Sequence, residues 1–159
     1  MKKKIIFVTL ILAFIFVLTG CTPKEKIFDK KEFKITLTEE FEEDKLEGYN
    51  YYFTSKKSAL TALKETFTDL EQIQINSEST LDDYANAVLK ANNKEIEAKK
   101  EADFIYFTYD SVVQENKVFY LSVMKKGKDG FWLINFFGLY ENKDTLEPEF
   151  LKYAKTINV

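Results

Sequence analysis

Asp129-Gly130-Phe131-Trp132-Leu133-Ile134-Asn135-Phe136 is the stretch that decides the fold of this 159-residue chain. The turn residues before Phe131 and the apolar, aromatic run after it read as a strand from Phe131 to Gly138. Two segments of the same character come before it, Phe104 to Val113 and Val118 to Lys125. Gln114-Glu115-Asn116 and Gly127-Lys128-Asp129-Gly130 are short enough to join the three as consecutive antiparallel strands. Bulky side chains fall on both alternating faces, with Tyr106 beside Phe107 and Trp132 beside Phe131. A sheet with one wet face carries apolar residues on one parity only, so both faces of this sheet require cover, by helices or by a partner.

The rest of the chain offers that cover. Thr145 to Thr156 reads as a closing helix opened by Glu147-Pro148-Glu149, with proline tolerated in a first turn. Its apolar side is Phe150, Leu151, Tyr153, Ala154 and Ile157. Ser79 to Asn92 reads as a second helix, capped by Ser79 or Thr80, with Asp82 and Asp83 in the positive first turn. Leu81, Tyr84, Ala85, Val88 and Leu89 make its buried stripe, and Lys94 to Glu101 is a charged connector.

Toward the N-terminus, Phe33 to Thr38 alternates as a half-buried strand. Tyr49 to Thr54 reads as another, expected to pair with it. Between them Glu39, Glu40, Glu42, Glu43 and Asp44 crowd one loop, but no Asp-x-Asp-x-Asp-Gly spacing appears, so a solvated acidic loop is expected rather than a calcium site. Ser58 to Ile73 fits two periods at once. Leu60, Leu63, Phe67 and Leu70 share a helical face, while the residues from Ala59 to Glu65 also alternate as a strand.

Taken in order, the elements are strand, strand, helix, three-strand meander and closing helix. With Asp129 to Phe136 and Leu146-Glu147-Pro148-Glu149-Phe150-Leu151-Lys152-Tyr153-Ala154-Lys155-Thr156, this order resembles small bacterial lipoproteins of the PsbP-like fold. The resemblance covers Phe33 to Val159. It implies an α+β chain, with an antiparallel β-sheet covered by helices in an α/β/α sandwich. It also implies a strand through about Glu65, followed by a helical turn from Thr68. It further implies a non-enzymatic role, because two relatives of that fold work by binding a larger protein. No site residue is carried over from them.

The N-terminus sets the expected compartment. Met1-Lys2-Lys3-Lys4 is a positive n-region, and Ile5 to Leu18 is an apolar run shorter than the ~20 residues a spanning helix needs. Leu18-Thr19-Gly20-Cys21 resembles the lipobox of bacterial lipoproteins, in which the cysteine thiol takes a diacylglyceryl group. Each buried methylene of such chains is worth about 0.8 kcal/mol, so two chains make a stable anchor. Residues 1–20 are then a removed signal peptide, 21–31 a lipidated tether and 32–159 one domain. The expected location is the extracytoplasmic face of the cell membrane.

Composition narrows the function. The chain has no histidine and no arginine, and its one cysteine is assigned to lipid. Serine–histidine and cysteine–histidine catalysis therefore lack their parts, as do Cys/His zinc sites. Three of the 23 basic residues lie in the signal, leaving 20 lysines against 26 acids, a net charge of −6. That is no nucleic-acid footprint. No catalytic residue, metal or cofactor is expected, and no acidic pair is placed by any motif that would support a carboxylate enzyme. The leading expectation is an accessory module that binds a membrane-associated protein. The alternative is a small-ligand pocket lined by Tyr106, Tyr109, Tyr120 and Trp132, near Asp110, Ser122 and Asn135.

Overall fold

A computed structural model describes residues 23–159, so Leu18, Thr19, Gly20 and Cys21 lie outside the described residues. The described chain begins with a hairpin, β1 (Glu25–Asp29) and β2 (Lys34–Thr38). Next come β3 (Glu42–Asp44), β4 (Tyr51–Thr54), β5 (Ser58–Thr66) and helix α1 (Phe67–Leu70). Helix α2 (Leu81–Ala91) leads to β6 (Lys99–Lys100), β7 (Ile105–Val113), β8 (Asn116–Lys126) and β9 (Gly130–Leu139), and helix α3 (Lys143–Ala154) closes the chain. β3 to β9 form one antiparallel sheet in the order β3-β4-β5-β9-β8-β7-β6.

The meander β7-β8-β9 is where the sequence placed it. Its first turn is Gln114-Glu115, both at positive φ (47° and 70°), the backbone of a two-residue hairpin loop whose twist matches the strands. The ambiguous segment resolves into strand. β5 pairs with β9 along its whole length, from Ser58↔Gly138 to Thr66↔Gly130, and with β4 on its other edge. Hydrogen bonding on both edges outweighs the helix propensity of Ala, Leu, Lys and Glu. The helical periodicity survives only in α1, which Thr66 caps by accepting from the Asp69 N–H.

Both sheet faces are covered, each by a different layer. On one, α3 and the β1–β2 hairpin bury Phe33, Ile35, Leu37, Leu121, Phe136 and Phe150. On the other, α1 and α2 bury Leu70, Tyr84, Val88, Phe107, Met124 and Phe131. Thr80 caps α2 through a reciprocal box with Asp83. The C-terminal tail is tied to β2, where Lys34 and Asn158 exchange both backbone hydrogen bonds.

Three expectations need correction. The span 21–31 is not all tether, because Glu25–Asp29 is the strand β1. Phe28 supplies the reason: its ring packs 4.7 Å from that of Phe53, which pulls the polar segment onto the domain. The domain therefore begins before residue 32. β4 pairs with β3 and β5 rather than with β2, because β2 spends its apolar face (Ile35, Leu37) covering the sheet from a second layer. Pro148 lies inside α3 rather than in its first turn, since the helix starts at Lys143 and so carries Leu146 into the core.

Candidate interaction surface

Pairing across the sheet lines side chains up in rows on the α2 face. Phe107↔Ser122, Ser122↔Asn135, Thr61↔Asn135 and Tyr52↔Thr61 define one row. The next row toward the β7–β8 turn is Tyr109, Tyr120, Phe137, Ala59 and Thr54. Helix α2 seals Phe107 but leaves Tyr109, Tyr120 and Phe137 only half-buried, and Leu139 beyond them is exposed.

The exposed row is an ordered ladder. The Tyr109 and Tyr120 rings lie 4.8 Å apart and within 4° of parallel, and the Phe137 ring follows at 5.6 Å. The Lys94 ammonium sits 4.2 Å from the centre of the Tyr109 ring, a cation–π contact. Burial raises the Tyr109 phenol above its ordinary value, and Tyr120 adds to this while a hydrogen bond with Ser122 opposes it. Burial also raises Tyr120, with Tyr49 adding to it. Both hydroxyls therefore stay protonated donors at neutral pH. A cleft of about 280 Å³ opens at this end of the sheet, lined by Tyr52, Thr54, Ala59, Val118, Phe137 and Leu139.

The four residues expected to line one pocket are divided by the sheet. Tyr109 and Tyr120 belong to the ladder. Tyr106 and Trp132 point the opposite way into the α3 layer, where Trp132 packs 5.3 Å from Phe33 and Tyr106 6.0 Å from Phe104. Strand alternation makes this unavoidable, because Tyr106 and Tyr109 differ by an odd number of residues. Asp110 shares the parity of Tyr106 and pairs with Lys117 at 3.1 Å. Ser122 and Asn135 do meet, the Ser122 hydroxyl donating to the Asn135 side chain at 2.5 Å. The crevice beside them holds only about 60 Å³, against the ~300 Å³ at which ligand pockets begin.

Elsewhere the described residues offer an open cleft of about 840 Å³ between α2 and the turn after α1, lined about equally by polar residues such as Gln72, Asn86 and Lys90 and apolar ones such as Ile73, Ile75 and Ala87. Among them no group of three or more His, Cys, Asp or Glu side chains is arranged for a metal. The perturbed carboxyls are Asp69, Asp83 and Asp129, all held low, the first two by threonine hydrogen bonds and the third by Lys64. No helix among the described residues is long and apolar enough to cross a membrane. Phe137, Leu139 and Lys94 were missed from sequence, although pairing even residues of β8 with odd residues of β9 would have found the first two.

No protein-family model and no curated protein matches this chain. Solved structures do. The solution structure of cyanobacterial PsbP (CyanoP) from Synechocystis sp. PCC 6803 aligns with TM-score 0.56 and 14% identity, covering 89% of this chain and 95% of that one. A Bacteroides thetaiotaomicron crystal structure aligns with TM-score 0.56 and 12% identity over 86% of this chain, but only 48% of its own. The Ran-binding protein Mog1p of Saccharomyces cerevisiae aligns with TM-score 0.53 and 7% identity, over 87% of this chain and 96% of that one. Identities this low speak for architecture alone: the chain has the PsbP-like fold, an α+β sandwich with its antiparallel sheet covered by helices.

Proposed function

We propose that this protein is a lipid-anchored accessory module on the extracytoplasmic face of a bacterial membrane, which binds a second membrane-associated protein and carries out no chemistry itself. The observation that carries the reading is the Tyr109–Tyr120–Phe137 ladder, left half-exposed beside Leu139 and an open cleft at the end of an otherwise covered sheet. Apolar, aromatic surface of this kind is what protein interfaces favour at their centres. Mog1p, a Ran-binding protein of the same fold, supports such a use by analogy of fold only.

The short lead into β1 supports a membrane-associated partner. Only residues 22–24 separate Cys21 from Glu25, so a lipid on Cys21 would hold the domain within about 14 Å of its anchor. Partners on the same bilayer are then favoured by high effective concentration.

Photo-crosslinking in intact cells tests the reading, with the probe placed at Tyr120 or at Leu139. The expected result is one membrane protein captured from both positions, no capture from Lys128 on the far turn, and loss of capture when Cys21→Ala releases the chain. Equal capture from all three positions, or capture unchanged by Cys21→Ala, overturns it.

A further inference from the structure

β7 is the last long strand of the sheet, and among the described residues no strand pairs with its outer edge beyond Tyr106, although the connector after α2 sets Lys94 over the Tyr109 ring. β6 pairs with it only at Lys99↔Tyr106 and Lys100↔Ile105. The Glu101 N–H donates to the Phe104 carbonyl, so Phe104 faces outward, and alternation turns the peptide groups of Tyr106, Thr108, Asp110 and Val112 outward with it. Beyond Tyr106, the N–H and C=O groups of Thr108, Asp110 and Val112 have no backbone partner among the described residues and are placed to pair with an added strand. Val112 is 70% exposed and Val113 44%. The opposite edge of the sheet is built differently. β3 is three exposed acids, Glu42-Glu43-Asp44, and a short charged edge of that kind blocks strand addition. Phe107 to Val113 has no lysine, no proline and a single charge, Asp110.

We propose that β7 accepts an extended segment of the partner protein as an added strand, with a lysine or arginine of that segment set against Asp110. The inference rests on the protein-binding reading above and gives its mode. Charge selects the occupant. Asp110 is the midpoint of the open stretch, so antiparallel pairing with a second copy that uses Thr108, Asp110 and Val112 brings Asp110 against its own counterpart. Like charges directly opposite destabilise a sheet. A cationic residue there instead joins the Asp110–Lys117 pair, which is half-exposed and faces the same side of the sheet. Apolar residues of the added strand gain Val113 on one face, beside Lys94 and Tyr109, and Val112 on the other.

The test uses the full lipidated protein in detergent and two soluble peptides of alternating threonine and valine, one with a central lysine and one with a central glutamate. Amide exchange is read at Thr108, Asp110 and Val112. The lysine peptide is expected to slow these amides about tenfold and the glutamate peptide to do so far less. Asp110→Lys should reverse that preference. Val112→Pro should abolish protection while leaving the fold intact, because the Val112 N–H points away from β8. Equal protection by both peptides, no protection by either, or protection that rises with protein concentration in the absence of peptide overturns strand addition by a basic partner segment. Capture from Tyr120 and Leu139 that survives Val112→Pro would retire this mode alone. Loss of capture in the unmodified protein would retire the protein-binding reading itself.

Discussion

Tyr84 donates its phenolic hydrogen to the Glu65 carboxylate, tying α2 to β5 while its ring stacks 4.5 Å from Phe131. Tyr84 is fully buried and its partner is not, so helix and sheet are joined by a polar contact at the edge of an apolar layer.

Tyr84→Phe keeps the ring and removes the donor. A hydrogen bond to a charged group contributes about 1.5–3 kcal/mol, and a loss of that size is expected in urea unfolding. The change should also blunt alkaline sensitivity. Burial first, and then the Glu65 hydrogen bond, hold the folded phenol far above its ordinary value of 10.0. The contribution of Tyr84 is therefore complete below that value. It falls as pH rises past it, because the unfolded chain then releases a proton that the folded chain keeps. Stability measured from pH 9 to 11 should fall less steeply in Tyr84→Phe than in the unchanged protein.

Thr80→Ala opens the capping box of α2. The Thr80 hydroxyl accepts from the Asp83 N–H, and the Asp83 carboxylate accepts from the Thr80 N–H and hydroxyl. Loss of such a cap costs about 1 kcal/mol, and Thr80→Ser should restore most of it. Those hydrogen bonds hold the Asp83 carboxyl below its ordinary value of 3.8. Its share of stability is present above that value and is lost as pH falls through the folded one, so wild type and Thr80→Ala should converge in acid unfolding curves.

Gly130→Ala tests the tightest approach of β9 to β5. A Cβ at Gly130 would sit 2.3 Å from the Glu65 carbonyl oxygen and 2.9 Å from the Thr66 Cα, both backbone atoms that cannot step aside alone. Overpacking of this kind costs about 1–3 kcal/mol, and a fall in thermal midpoint should report it. An unchanged midpoint would mean that the two strands separate easily.

Lys125→Met removes a buried cation that holds the C-terminal tail. The Lys125 side chain is 6% exposed; its ammonium donates to Asp103 at 2.7 Å and to the Ile157 carbonyl at 2.5 Å. Methionine fills similar space without a donor and leaves that carbonyl unpaired. Amide exchange at Asn158, whose N–H bonds to the Lys34 carbonyl, should accelerate while exchange in β8 and β9 stays the same. Uniform acceleration across the sheet would instead mark a global loss of stability.

What could be read from the sequence was what neighbouring residues settle between themselves. The Thr80 cap and the stripe through Tyr84, Ala85, Val88 and Leu89 lie within four turns of chain, and they give α2. The meander was legible because its turns are short and its strands rich in aromatic and β-branched residues. β5 was not legible alone, because its helix and strand periods coincide and only pairing to β9 separates them. The candidate surface was half legible. Tyr109 and Tyr120 were named, but Tyr106 and Trp132 were grouped with them across a sheet that keeps them apart.

By itself the sequence determined the three-strand meander, the helix after Thr80 and the closing helix, the lack of histidine and arginine side chains, and the pattern at Cys21 that resembles a lipobox. Tertiary structure decided which residues share a face, which strands stand next to each other in the sheet, and that Glu25–Asp29 joins the domain instead of tethering it. The reason is range. Caps, turns and hydrophobic periods act over a few residues, whereas the contacts that make Thr66 oppose Gly130 and Lys34 oppose Asn158 join positions far apart in the chain.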